Sequence, residues 1–414
     1  MDNRQKEYFQ RIASNFETPT YVFDAGILSE RVSLIRDKLP RDTTLCFAMK
    51  ANPFMTGTLA KLVDRLEVCS PGEYEICIRE HIDPEMIVVS GVNKTPASME
   101  RIFSYSHGAG IYTIESELHY RILKQCADKF GKRLKVLLRL SSGNQFGMDE
   151  ASLNQVLSMI QADDKMDVIG IHYYAGTQKS VKKIESELQL LDAYGDKLRK
   201  DFNIENLELE YGPGLMVSYF ENAGGAEQEA SDASAQLHAL SSLLADMNAY
   251  SHISIELGRF LVSTCGYYMT RVMDIKHTGK TNFAIVDGGI HQINYYGQMM
   301  GMRKPYISLL KMSQKDNTVP AESHSQWTIC GSLCTANDVL VRQTTLENLD
   351  VGDILVFERC GAYSITEGMA MFLSRELPQV LFTDYDGTTQ ILRKKTEINT
   401  LNGRMEEWQH GEIN

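Results

Sequence analysis

The 414-residue chain is 43% hydrophobic and 23% charged, the balance of an ordinary folded protein, and it is too long for one simple core, so two domains are expected. Its 54 acidic against 42 basic side chains leave a net charge of -12, which repels polyanions and excludes nucleic acid and anionic membranes as main partners. The start Met1-Asp-Asn-Arg-Gln-Lys-Glu7 has no apolar signal core, no window approaches a membrane span, and the eight cysteines form no CxxC pair; a cytoplasmic protein without zinc site or disulfide framework is expected.

Thr18-Pro-Thr-Tyr-Val-Phe23 predicts a short strand and Leu28–Leu39 an amphipathic helix. A rhythm then sets in. Apolar, β-favouring runs occur at Leu45–Met49, Leu66–Cys69, Met86–Val89, Ile111–Ile114, Leu134–Leu140, Val168–Tyr174, Leu207–Tyr211 and Ile253–Leu257. Helical periodicity separates them, as at Pro96–Tyr105, Glu115–Phe130 and Ile184–Lys200. This alternation predicts an α/β fold, a parallel (β/α)8 TIM-like barrel over residues 25–259. Within it Glu221–Ser234, rich in Gly, Ala, Glu and Ser, predicts a flexible loop or lid before a helix. From about Phe260 short strands and turns take over, at Asn282–Val286, Trp327–Cys330, Val339–Arg342 and Asp353–Glu358. Residues 1–24 and 260–414 are therefore expected to form a mostly antiparallel β domain. His277-Thr-Gly-Lys-Thr281 lacks the first glycine of a phosphate loop, Asp274 standing in its place, and predicts a hairpin turn.

Polar and glycine-rich residues follow the predicted strands one after another: Lys50, Ser70-Pro-Gly72, Ser90-Gly91, Arg139, Tyr174-Ala-Gly-Thr-Gln178, Gly212-Pro-Gly214 and Glu256-Leu-Gly-Arg259. In a barrel these ends share one rim, where active sites are built. Lys50 ends an apolar run before an Asn-Pro stop, where a desolvated amine becomes nucleophilic toward an aldehyde; the alternative is a surface lysine capping its strand. Gly212, Gly214, Gly258, Arg259 and Thr177 offer backbone N–H groups, a guanidinium and a hydroxyl, a set that suits a phosphate, although each glycine run alone is a common tight turn. Glu256 is costly to bury unpaired; a protonated pyridine nitrogen is one partner, and Arg259 or Arg139 the alternative. An aldehyde-reactive lysine, a phosphate cradle and a carboxylate for a ring nitrogen together describe a site for pyridoxal 5'-phosphate, and no metal is expected.

Six segments carry a family resemblance: Phe47-Ala-Met-Lys-Ala-Asn-Pro53, Val68-Cys-Ser-Pro-Gly-Glu73, Gly170-Ile-His-Tyr-Tyr-Ala-Gly-Thr-Gln178, Glu256-Leu-Gly-Arg259, Cys330-Gly-Ser-Leu-Cys-Thr-Ala-Asn-Asp338 and Gly361-Ala-Tyr363. In this order and spacing, over about residues 18 to 385, the chain resembles the fold type III pyridoxal phosphate-dependent decarboxylases, the diaminopimelate, ornithine and arginine decarboxylase group. The resemblance implies a barrel of alanine-racemase type and a homodimer with active sites shared between subunits. It implies Lys50 as the Schiff-base lysine, Glu256 as partner of the ring nitrogen, and Gly212, Gly214, Gly258, Arg259, Thr177 and Tyr363 around the phosphate. Tyr174 stands where the family usually stacks a His on the ring. Cys334 resembles the catalytic cysteine of the second domain and Asp338 the acid shaping the substrate end, while Arg303 and Tyr306 stand near the family's substrate-carboxylate residues.

Thr335 replaces the Glu that usually follows the cysteine in diaminopimelate decarboxylases, so the group that reads the distal end of that substrate is missing. Asp287-Gly-Gly-Ile290, Gly297-Gln298, Leu333-Cys-Thr335 and Phe372-Leu-Ser374 resemble more closely the branch acting on carrier-protein-linked or otherwise conjugated amino acids in secondary metabolism. The implied activity is α-decarboxylation, with Cys334 or a water it positions returning a proton to Cα. The alternatives are a diaminopimelate decarboxylase of lysine biosynthesis, an amino-acid racemase, and a non-catalytic cofactor-binding homologue. Alanine racemases place an Arg at the ring nitrogen, so Glu256 speaks against the second; the presence of both Lys50 and Cys334 speaks against the third.

Overall fold

Strand β1 (Thr20–Asp24) is followed by eight short strands that close on themselves: β2 (Thr44–Ala48), β3 (Arg65–Val68), β4 (Ile87–Val89), β5 (Ile111–Ile114), β6 (Leu134–Arg139), β7 (Met166–Tyr174), β8 (Glu208–Gly212) and β9 (His252–Leu257). Every neighbouring pair is parallel, and β2 closes the ring on β9 with Cys46 beside Glu256. Leu45–Ala48, Ile87–Val89 and Ile111–Ile114 are buried along their whole length. That is what parallel strands covered by helices outside and side chains inside require, and it explains runs apolar without alternation. The computed structural model describes residues 1–105, 108–221, 226–295, 301, 303–312 and 325–403. These divide into two compact units, one of Met1–Gly26, Tyr219–Ala223 and Ser263–Asn414, the other of Ile27–Ser218 and Gly224–Val262, which carries the barrel.

The helices after the strands start on clear signals. Ser70, Thr95, Ser116, Asp149 and Ser180 each accept a hydrogen bond from the backbone three residues on, and Pro71 and Pro96 occupy first-turn positions where a missing N–H costs nothing. The strand ends and these helix starts therefore lie on the same rim. One expectation needs correction. Ala226–Ala245 is a helix, so most of the segment read as a loop from Glu221 to Ser234 is helical; its Ala, Glu and Gln residues are good helix formers and outweigh the preceding glycines. Residues 222–225 lie outside the described residues.

The second unit is a nine-stranded mixed sheet. Its strands after the barrel are β10 (Gly266–Thr278), β11 (Thr281–Val286), β12 (Ile307–Leu310), β13 (Ser325–Cys330), β14 (Val339–Leu346), β15 (Ile354–Phe357), β16 (Gln379–Thr383) and β17 (Thr389–Arg393). The pairs β1–β16 and β11–β13 are parallel; the other pairs are antiparallel. β10 is the spine, bonded to β1, β11 and β15, with a bulge between Val272 and Asp274. The hairpin expected at His277–Thr281 joins β10 to β11, with Gly279 at φ +62° supplying the left-handed turn residue. Helix Asn3–Asn15, absent from the sequence reading, begins in a capping box of Asp2 and Gln5 and buries Phe9 edge-on against Tyr267, with ring centroids 4.9 Å apart. Burying that phenyl group contributes roughly 2 to 3 kcal/mol. Among the described residues no helix is long and apolar enough to cross a membrane.

Candidate active site

At the end of β2 the chain enters a tight turn, Met49–Ala51, and Asn52 Oδ1 accepts from Phe54 N at 3.1 Å to start the next. From the first of these turns Lys50 extends across the rim. Its Nζ donates to Glu67 Oε2 at 2.7 Å, lies 3.6 Å from Cys69 Sγ and stands 3.9 Å from Glu256 Oε1. The sequence pattern predicted a desolvated amine, but the side chain is 38% exposed and flanked by two buried carboxylates. A strand-end turn, not a buried strand position, presents it, so its chemistry is set by charged neighbours rather than by an apolar wall.

The carboxylates come from inside the barrel. Cross-strand register sets His172 beside Glu210 and Glu210 beside Ser254, and the period of two returns Glu256 to the same face as Ser254. His172 Nε2 is 3.0 Å from Glu256 Oε2, and Ser254 Oγ donates to Glu210 Oε2 at 3.3 Å. Arg65 forks onto Glu208 and reaches Glu210 at 3.3 Å. Burial works to raise the Glu256 pKa, but the Lys50 charge and the His172 bond outweigh it and hold the carboxyl below its ordinary range. Burial pushes Glu210 up to about 7, helped by the charge of Glu256 and opposed by His172 and Arg65. Arg139, one alternative partner for Glu256, is committed to Glu115 at 3.1 Å with the Phe146 ring 5.0 Å from its guanidinium. Lys94, likewise buried on the rim, donates to the carbonyls of Gly91 and Ser90 at 2.6 and 3.1 Å, and burial lowers it to about 8.

Two loops press together beside this row. Gly214 has φ +59°, and a Cβ there would stand 2.2 Å from the Gly176 carbonyl oxygen and 3.0 Å from Thr177 Cα. A Cβ on Gly212 would meet Tyr174 Cδ2 at 2.5 Å, so the ring of Tyr174 packs directly over that glycine. Only glycine fits either place. The Gly258 carbonyl accepts from Leu261 N at 3.0 Å, opening the short helix Arg259–Val262 that carries the guanidinium at its first position. A rim amine, a buried carboxylate and a glycine turn that a Cβ would fill fit pyridoxal 5'-phosphate, with Lys50, Glu256 and the Gly212–Gly214 turn as its holders.

The remaining predicted site residues belong to the sheet unit, where Cys334, Thr335 and Asp338 share one turn. Asp338 is buried between Gly289 and Gly331, where an added Cβ would come within 2.7 and 2.3 Å of its oxygens. It accepts from Ile290 N at 2.9 Å and Leu333 N at 2.7 Å, and the Asp338 backbone donates to the Thr335 carbonyl at 3.1 Å. Both carboxylate oxygens thus organise the turn that carries Cys334 and Thr335. Cys334 is the exposed member of the eight cysteines. Tyr363 is half-buried at φ +63°, two residues after Gly361, whose amide donates to Ser263 O at 3.0 Å. Arg303 is exposed with its guanidinium 5.5 Å from the Phe220 ring, and Tyr306 lies under Arg359 at 3.6 Å. Gly297 and Gln298 lie outside the described residues.

Sequence reasoning missed Glu67, Cys69, His172 and Glu210. A signal existed for two of them: Glu67 interrupts Arg65–Val68, and Glu208 and Glu210 alternate inside an otherwise apolar run, a costly pattern unless the barrel interior pairs the charges.

Among known proteins, the family model described as "Pyridoxal-dependent decarboxylase, C-terminal sheet domain" matches residues 20–361. Diaminopimelate decarboxylase of Aquifex aeolicus is 25% identical, covering 93% of this chain and 91% of its own. L-glutamyl-[BtrI acyl-carrier protein] decarboxylase of Niallia circulans is also 25% identical, over 93% of this chain and 92% of its own. The crystal structure of diaminopimelate decarboxylase from M. jannaschii superposes with a TM-score of 0.80 at 22% identity, covering 93% of this chain and 91% of that one, a likeness of fold. With a family model spanning both the barrel and most of the sheet unit, and a rim that fits the cofactor, the chain belongs to the pyridoxal 5'-phosphate-dependent decarboxylases.

Proposed function

We propose that the protein removes the α-carboxylate of an amino acid held through a conjugate, such as a carrier-protein-linked amino acid. The observation that carries the reaction is the convergence of Lys50, Glu67 and Glu256 at one end of the barrel, next to the Gly212–Gly214 turn. Pyridoxal phosphate, when bound, supplies the electron sink that lets the bond from Cα to the carboxylate break. Lys50 supplies the amine, oriented by Glu67; Glu256 keeps its charge and offers it to a protonated ring nitrogen; Tyr174 offers a flat face. Gly214, Gly258, Arg259, Thr177 and Tyr363 hold the phosphate. Cys334 Sγ returns a proton to Cα, and the exposure of this thiol on its own unit supports its delivery to the rim of a partner subunit in a homodimer.

Two observations support a conjugated substrate. Thr335 is neutral, and the nearby Asp338 carboxylate is taken up by the amides of Ile290 and Leu333, so Thr335 offers no carboxylate where a free distal ammonium would be read; one relative of equal identity is named for a carrier-linked glutamyl group. The second reading, free meso-diaminopimelate, draws on the Aquifex aeolicus relative. A mass-spectrometric screen for loss of CO2 from free and carrier-loaded amino acids decides. Turnover of a loaded carrier with little turnover of free meso-diaminopimelate is expected; efficient turnover of the free diacid refutes the conjugate reading.

A further inference from the structure

A buried charge lies behind the glycine turn, and none of the roles above uses it. Lys179 is 7% exposed and Glu187 3%. Lys179 Nζ donates to Glu187 Oε2 at 2.6 Å and to the Gly212 carbonyl at 3.0 Å, and the same carboxylate oxygen accepts from Tyr211 OH at 2.7 Å. Lys179 follows β7, Tyr211 belongs to β8 and Glu187 sits on helix Val181–Phe202, so one ion pair ties three successive pieces of the barrel. Buried ion pairs are poor stabilisers, because desolvation offsets most of their attraction and apolar replacements often do as well. Stability alone does not account for this one.

Its bonds to the turn suggest what does. Besides the contact from Nζ to Gly212 O, the Lys179 backbone N–H donates to Gly214 O at 3.0 Å. A trans peptide points its C=O and N–H in opposite directions. Anchoring the Gly214 carbonyl on residue 179 therefore turns the Leu215 N–H the other way. Drawing the Gly212 carbonyl onto an ammonium likewise keeps that oxygen's negative end off the opposite side. The packing is close: a Cβ on Gly214 would stand 2.8 Å from Lys179 Cε. We propose that Lys179 is the positioning residue of an anion-binding turn, holding the carbonyls of Gly212 and Gly214 away so that the turn presents N–H groups to a phosphate monoester. This rests on reading that turn as the phosphate cradle.

The test compares two probes on the cofactor-free full chain, pyridoxal 5'-phosphate and unphosphorylated pyridoxal, titrated by absorbance. The wild type is expected to prefer the phosphorylated probe. Lys179→Met is expected to reduce that preference roughly tenfold or more, the effect of losing one charge-assisted hydrogen bond, with the pyridoxal affinity unchanged. Because Lys179→Met strands Glu187, the double variant Lys179→Met/Glu187→Leu carries the same measurement should the single one fail to fold. Gly214→Val tests the cradle itself. If it abolishes the preference while the Lys179 variants keep it, or lose both affinities alike, the positioning role is overturned and the cradle stands. If Gly214→Val keeps the preference, the cradle is elsewhere and the proposal falls with it.

Discussion

Lys50 Nζ and Glu67 Oε2 meet at 2.7 Å across the pair β2–β3, a contact between a strand-end turn and the neighbouring strand's interior face. Glu67 is nearly inaccessible while Lys50 is not, so the carboxylate is the fixed partner and the amine the one that is aimed. Hydrogen bonds to charged groups are worth about 1.5 to 3 kcal/mol, and exposure of the lysine places this one toward the low end. Glu67→Gln is therefore expected to slow capture of pyridoxal phosphate by roughly tenfold, read as the rise of visible absorbance after mixing. An unchanged rate would remove Glu67 from the site.

Glu210 sets a pH dependence of stability. Its folded pKa of about 7 lies above the ordinary carboxyl value of 4.5, so its contribution is fully present below the lower value and is lost as pH rises through the upper one. Glu210→Gln keeps an acceptor for Arg65 and Ser254 but cannot ionise. It is expected to flatten the loss of stability across that window by an amount on the order of a few kcal/mol, measured by denaturant unfolding at several pH values. Parallel profiles for variant and wild type would mean that Glu210 keeps an ordinary carboxylate pKa.

The barrel was legible because each strand is a short apolar run that ends in a polar or glycine-rich residue, and burial on both faces produces that pattern directly. Strand β10 was not, because its far half, Met273–Thr278, is largely exposed and reads as a polar loop. Lys50, Glu256 and the glycine turns were legible as strand-end residues. His172 was quoted only within a motif, and Glu67 and Glu210 show in the sequence only as charges inside apolar runs, a signal that does not name the partners the barrel interior supplies. Lys179 was invisible for a related reason: its partners Glu187 and Tyr211 are 8 and 32 residues away along the chain, and only the fold brings them together.

Asp338 holds the Cys334 turn through two backbone amides, and Asp338→Ala leaves the N–H groups of Ile290 and Leu333 without that acceptor. A loss of about 1 to 3 kcal/mol in unfolding free energy is expected, with faster reaction of Cys334 toward a thiol reagent as the turn loosens. Unchanged stability together with unchanged thiol reactivity would show that the turn is held by other contacts.

Shared sites are tested by mixing inactive Lys50→Ala with inactive Cys334→Ala. Random exchange of protomers in a symmetric dimer gives mixed dimers with one intact site, so activity is expected to return toward roughly a quarter of wild type. No recovery, once subunit exchange is demonstrated, would place Cys334 with the rim of its own chain or outside the reaction.

Decarboxylation itself is tested most directly by turnover in deuterated water, following both the gas and the retained carbon skeleton. Removal of the α-carboxylate with protonation at Cα gives one CO2 per substrate and an amine carrying one deuteron at Cα, lost in Lys50→Ala and in Cys334→Ala. Deuterium appearing at Cα of an intact amino acid without CO2 would identify a racemase and contradict the decarboxylase reading.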